Sequence, residues 1–124
     1  MDVNMVNVVT LAYLGDSIYE VFVRKMLIEK GIAKVEELQK EAVRYVSAKG
    51  QANILKNLID DGFLYDDELE IVKRGRNYKR SSHPKNTDIV TYKYSTGFET
   101  LVGYLYLSGN MDRLVEIFTQ IEVM

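Results

Sequence analysis

Two acidic residues stand in surroundings where acids are uncommon: Asp16 in LAYLGDSIYE (11–20) and Glu99 in YSTGFETLVGYLYL (94–107). A carboxylate that faces apolar neighbours needs a partner, or it stays neutral. Gly15 precedes the Asp, and Gly97 and Gly103 flank the Glu; such small residues let another backbone approach closely. If the two acids met, they could share a divalent cation, because magnesium takes one or two carboxylates plus waters and substrate phosphate. Spacing alone does not bring them together. Asp16 also has a plainer reading, in which Ser17-Ile18-Tyr19-Glu20 is a capping box and Gly15-Asp16 a turn between two helices. Gly costs roughly 1 kcal/mol relative to Ala inside a helix, which favours a boundary, but periodicity does not decide the matter.

The second chemical feature is a run of cations. Lys73, Arg74, Arg76, Lys79, Arg80 and Lys85 follow one another with no acid among them. They are six of the 16 basic residues, so ten remain to face all 18 acidic ones, and the net charge of −2 conceals a polarised molecule. Such a run could grip phosphates, or it could be a solvated charge run. Tyr78 could stack on a base or anchor the loop, Lys93 is a weaker cation of the same kind, and His83 reads as a loop residue with phosphate contact as the alternative. The chain has no Cys, hence no disulfide, thiolate metal site or thiol nucleophile, in keeping with a reducing cytoplasm. It also shows no long apolar run and no leader pattern, so it reads as cytosolic with no membrane partner.

The elements that must position these groups are helical. One Pro against abundant Leu, Ile, Val, Lys and Glu favours helices, and nothing alternates with period two for long enough to make a sheet. Apolar spacing predicts a helix over 6–30 ending at Gly31, a second on Val35, Leu38, Ala42, Val43 and Val46, and a third from Ala52 to Asp60-Asp61-Gly62. A short helix over 66–76 starts on three acids, which suit a helix N-terminus. Residues 77–86 then form an exposed basic loop, and 87–107 and 111–122 are helical, the last capped by Asn110. Asp88 lies eleven residues before Glu99, roughly 16 Å along a helix, so it caps its own helix and cannot share an ion with Glu99. The expectation is one all-α domain over 1–124, with about six or seven helices.

LAYLGDSIYE resembles the signature helix of ribonuclease III catalytic domains, in which an apolar-aromatic-Leu-Gly-Asp-Ser run carries a metal-binding Asp. FETLVGYLYL resembles the later helix of that domain. RGRNYK and PKNTDIVTYKYSTGFE are similar, more narrowly, to the Mini-ribonuclease III branch, the short form without an appended double-stranded-RNA-binding domain. The match spans nearly the whole chain. It departs from the general signature where Glu-Arg-Leu-Glu becomes Val9-Thr10-Leu11-Ala12, and where Asp-x-x-Glu becomes Thr96-Gly97-Phe98-Glu99.

The resemblance implies a magnesium-dependent endoribonuclease (manganese as substitute) that cuts double-stranded RNA, with precursor 23S ribosomal RNA as substrate. A ribosomal protein that presents the substrate is a further possible partner. Asp16 and Glu99 are then the catalytic and metal residues, Glu20 an outer-shell or a capping or surface residue, and the 73–85 cations the RNA contacts. It also implies a two-fold homodimer, with Tyr13 packed into the partner subunit rather than into its own core. The competing function is a catalytically inert RNA-binding or ribosome-associated domain of the same ancestry, which the missing carboxylates favour. A helical protein–protein adaptor is a third reading, and it leaves the basic run idle.

Overall fold

The computed structural model describes residues 1–78 and 87–124. Among these, six α-helices follow a 3-10 turn at Val3–Met5, and no strand is present. They are α1 (Val8–Glu29), α2 (Val35–Val46), α3 (Ala48–Asp60), α4 (Asp66–Arg76), α5 (Ile89–Leu107) and α6 (Met111–Glu122). The all-α expectation holds, with boundaries within a few residues of those read from spacing.

The helix ends follow from local chemistry. Asn7, Ser47, Asp88 and Asn110 each accept a backbone N–H of the first turn that follows them. Asp88 makes the best-formed of these caps, accepting from both the N–H and the hydroxyl of Thr91 at 2.8 Å, and those bonds hold its carboxyl below the usual range. That pKa is depressed in the fold, so the cap contributes stability above the ordinary Asp pKa and loses it as pH falls through the folded value. Gly31 and Gly62 end α1 and α3 at φ of +98° and +66°, and the following N–H groups reach back to Leu27 and Leu58.

One helix lies at the centre. α5 packs against α1, α3, α4 and α6, and it is buried through residues 95–98 and 100–103. A helix surrounded in this way must be apolar or self-satisfied. The hydroxyls of Ser95 and Thr96 bond the Tyr92 carbonyl at 3.0 Å, and Thr100 bonds that of Thr96 at 2.7 Å. Around it Tyr19, Val23, Leu55, Leu58, Phe98, Leu101, Leu114 and Ile117 form one core, with Tyr19 edge-on to Phe98 at 4.9 Å.

An ion pair ties α4 to α6 inside this core. Arg113 meets Glu68 through two bonds, at 2.7 and 2.8 Å, with side-chain exposures of only 6% and 4%. The guanidinium also donates to the Phe63 carbonyl and lies over the Tyr65 ring at 3.9 Å, while Glu68 accepts the Tyr65 N–H at 2.9 Å. Hydrogen bonding to Glu68 holds the Arg113 pKa above its already high ordinary value. Breaking such a pair strands a buried charge. Glu68→Gln or Arg113→Met alone should cost about 3–5 kcal/mol in urea denaturation, whereas Glu68→Leu combined with Arg113→Met should cost clearly less than the sum.

Candidate active site

α1 runs unbroken through Gly15 and Asp16, as the resemblance to a signature helix implies, and the turn-and-cap alternative falls: Ser17 lies mid-helix, where no orphan N–H awaits a cap. The reason for Gly15 is the crossing with α5. A Cβ there would overlap the Glu99 carbonyl and stand 2.8 Å from the Gly103 nitrogen. The reciprocal holds one turn away, where a Cβ on Gly103 would overlap the Leu11 carbonyl. The helices therefore touch backbone to backbone, antiparallel, with Leu11 opposite Gly103 and Gly15 opposite Glu99. That register seats the positions of Asp16 and Glu99 at one level of the crossing.

The two acids do not share one environment. Asp16 is exposed, so the expectation that it faces apolar neighbours does not hold, while Glu99 is half-buried. Gln51 of α3 donates from Nε2 to Glu99 Oε2 at 3.3 Å and to the Val46 carbonyl at 3.2 Å. The Gln51 Oε1 is buried and has no hydrogen-bond partner, which costs about 1–3 kcal/mol for such an acceptor. Gln51 was missed in the sequence. Its signal is its register, since it falls on the apolar stripe of α3 with Ile54, Leu55 and Leu58.

Glu20 lies one turn after Asp16 and pairs with Arg24 at 3.4 Å, a partly exposed i,i+4 contact. Asp88 is the N-cap of α5, as expected. Tyr13 is 80% exposed, so its core-packing alternative is excluded.

Of the six cations, Lys73, Arg74 and Arg76 form the last turn of α4, where the helix dipole favours positive charge. Lys79, Arg80 and Lys85, with His83 and most of the 77–86 loop, lie outside the described residues. A second close contact brings that end of α4 to α5: a Cβ on Gly75 would stand 2.8 Å from the Thr100 Cβ and 3.0 Å from the Gly97 Cα. The Arg76 guanidinium lies over the Tyr94 ring at 5.7 Å. Lys93 is exposed within α5, not beside it, and Tyr78 follows α4 at 38% exposure.

A metal at this crossing must suit oxygen donors. Among the described residues no three His, Cys, Asp or Glu side chains gather as a closed site. That donor set fits a hard cation that retains waters and takes one or two carboxylates, and it does not fit a tetrahedral zinc centre. The geometry also makes the glycines testable. Gly15→Ala or Gly103→Ala must force α1 from α5, and because backbone cannot yield as a side chain does, each should lose about 2–3 kcal/mol by urea melt. Each should also lose more of any metal binding than its folded fraction explains.

The comparisons with known proteins agree with this architecture. Residues 9–110 match the model of the Ribonuclease III domain. The chain is 51% identical over 119 residues to the Mini-ribonuclease 3 of Brevibacillus brevis, covering 96% of this chain and 87% of that protein. It is 51% identical over 108 residues to the Mini-ribonuclease 3 of Symbiobacterium thermophilum, covering 87% and 82%. A crystal structure of a Fusobacterium nucleatum protein superposes with a TM-score of 0.83 at 30% identity, over 97% of this chain and 94% of that one. With its motifs, its fold and its relatives in accord, the chain belongs to the ribonuclease III family of nucleases, in the Mini-ribonuclease III branch.

Proposed function

We propose that this chain is a magnesium-dependent endoribonuclease that hydrolyses phosphodiester bonds in double-stranded RNA, with the paired ends of precursor 23S ribosomal RNA as substrate. The observation that supports the reading is the glycine-lined crossing, whose register seats the backbone positions of the two motif acids at one level. Asp16 and Glu99 are the residues that would hold the cation. Once bound, magnesium or manganese supplies Lewis-acid polarisation of the phosphate and a water of lowered pKa.

The chain's own residues bind and orient. Lys73, Arg74 and Arg76 are set to neutralise backbone phosphates across a groove of A-form RNA, joined by Lys79, Arg80 and Lys85. No side chain need form a covalent intermediate, in keeping with a sequence that has no Cys and a single His. The same reading places the protein in the cytoplasm, where a ribosomal protein could present the substrate. No helix among the described residues is long and apolar enough to cross a membrane.

Cutting both strands of a duplex calls for two sites related by a dyad, which a two-fold homodimer provides. Tyr13 and Val21 of α1 are exposed at 80% and 66%, and Ile28, Val35 and Val43 continue an exposed apolar flank along α1 and α2. A second copy of the chain is the occupant that the family resemblance implies for this flank.

Three measurements check the reading. Cleavage of a labelled precursor 23S stem should require magnesium, and Asp16→Asn or Glu99→Gln should lower kcat by about 10²-fold or more while RNA affinity holds. Wild-type protein that binds the stem yet cuts it under neither magnesium nor manganese would favour the inert RNA-binding relative. Lys73→Ala and Arg74→Ala should weaken binding evenly across duplex sequences, and each should reduce the slope of log K against log salt by about 1. Tyr13→Glu should convert the dimer to monomer in light scattering; a persistent dimer would remove Tyr13 from the interface.

A further inference from the structure

Gln51 is 2% exposed on the core-facing side of α3. Its backbone is clamped against the end of α2. A Cβ on the preceding Gly50 would overlap the Arg44 carbonyl, and the Gly50 N–H bonds the Ser47 hydroxyl at 3.1 Å. The amide orientation follows from its partners: Nε2 faces two acceptors, Val46 O and Glu99 Oε2, and a flipped amide would set Oε1 against both. The consequence is an Oε1 with neither a hydrogen-bond partner nor solvent. A residue kept only for packing would not carry that penalty, because leucine fills a similar volume without an unsatisfied acceptor. What the amide supplies and leucine lacks is a donor, given to the Val46 carbonyl at 3.2 Å and to Glu99 at 3.3 Å; the second bond reaches another helix and a carboxylate.

We propose that Gln51 is a positioning residue, whose Nε2 holds the Glu99 carboxylate in the orientation that a divalent cation requires. The inference rests on the reading of Glu99 as a cation ligand. Groups that orient a metal ligand from outside typically change metal affinity by 10–100-fold when removed. The amide thereby ties the end of α2 and α3 to Glu99 of α5.

The test is manganese binding to the full chain by isothermal titration calorimetry, with thermal melts run with and without the ion. Gln51→Leu should raise the manganese Kd at least about tenfold. Read on protein that its metal-free melt shows to be folded, the Kd should rise whatever the lost donor to the Val46 carbonyl does to the melting temperature, a change that a purely structural glutamine would not produce. Gln51→Glu keeps the size but places a second carboxylate beside Glu99. It should melt lower than wild type without metal and show a larger manganese-induced rise. A wild-type Kd in Gln51→Leu overturns the inference. Should that variant fail to fold, a manganese-induced rise in Gln51→Glu no larger than that of wild type overturns it instead. Glu99→Gln separates the two levels. If it loses binding while Gln51→Leu keeps it, only the role of Gln51 falls; if wild type binds no better than Glu99→Gln, the metal reading falls and takes this one with it.

Discussion

Helices α1 and α5 meet backbone to backbone because neither Gly15 nor Gly103 carries a Cβ. Two ordinary helices are held 8–10 Å apart by their side chains. Here the side chain is absent at the crossing on both partners, one turn apart, and the register is set to the residue. A shift by one position along either helix would bring a Cβ into a carbonyl. The positions of Asp16 and Glu99 therefore face a geometry that does not depend on long flexible contacts, which suits a site whose ligands need placement within about 0.5 Å.

That contact fixes what the rest of the protein must do. α5 is surrounded, and its length has to be filled by residues that are small, apolar or bonded to their own helix. Ser95, Thr96 and Thr100 satisfy their hydroxyls on preceding carbonyls of the same helix. Glu99 is the exception on this stretch, and Gln51 is its partner from α3. The contrast with Glu68 is instructive. Glu68 is saturated by Arg113 on both oxygens, further fixed by the Tyr65 N–H, and closed to solvent. It is a structural acid with nothing left to offer a ligand. Glu99, by contrast, is half-buried and accepts a 3.3 Å bond from the neutral Gln51 amide, so it is not closed to solvent as Glu68 is.

Much of this was legible in the residues. Helix positions followed from apolar spacing, Asp88 and Asn110 read correctly as caps, and eleven residues of helical rise separated Asp88 from Glu99. Local rules failed at Gly15. Its Gly-Asp-Ser-x-x-Glu context satisfies a capping box as well as any real one, and what decides against it is a partner helix met at Glu99, 84 positions away in sequence. Only the family resemblance, not periodicity, carried that information. Gln51 was illegible for the same reason: a polar residue on an apolar stripe signals something, yet its meaning lies in Glu99 on another helix. Tyr13 was ambiguous because an aromatic at helical spacing fits a core and an exposed flank alike, and only the fold places it outside.

The cations acquire their place from the same packing logic. Lys73, Arg74 and Arg76 in the last turn of α4 are well accounted for as stabilisers of a helix C-terminus, so their type alone says little about RNA. Their location says more. Gly75 brings this turn against Gly97 and Thr100, the same stretch of α5 that meets Gly15 on its other contact. One turn of α5 is thus approached by the acid-bearing helix on one side and by the basic end of α4 on another. A molecule with a net charge of −2 would repel a polyanion if its charges were spread evenly. On the function proposed above, cations concentrated at the helix that adjoins the two motif acids would give attraction where a phosphate would have to arrive, while the acids elsewhere would disfavour other modes of approach. The small residues that let α5 be buried are, on this account, also what keeps the attractive and the acidic groups close together.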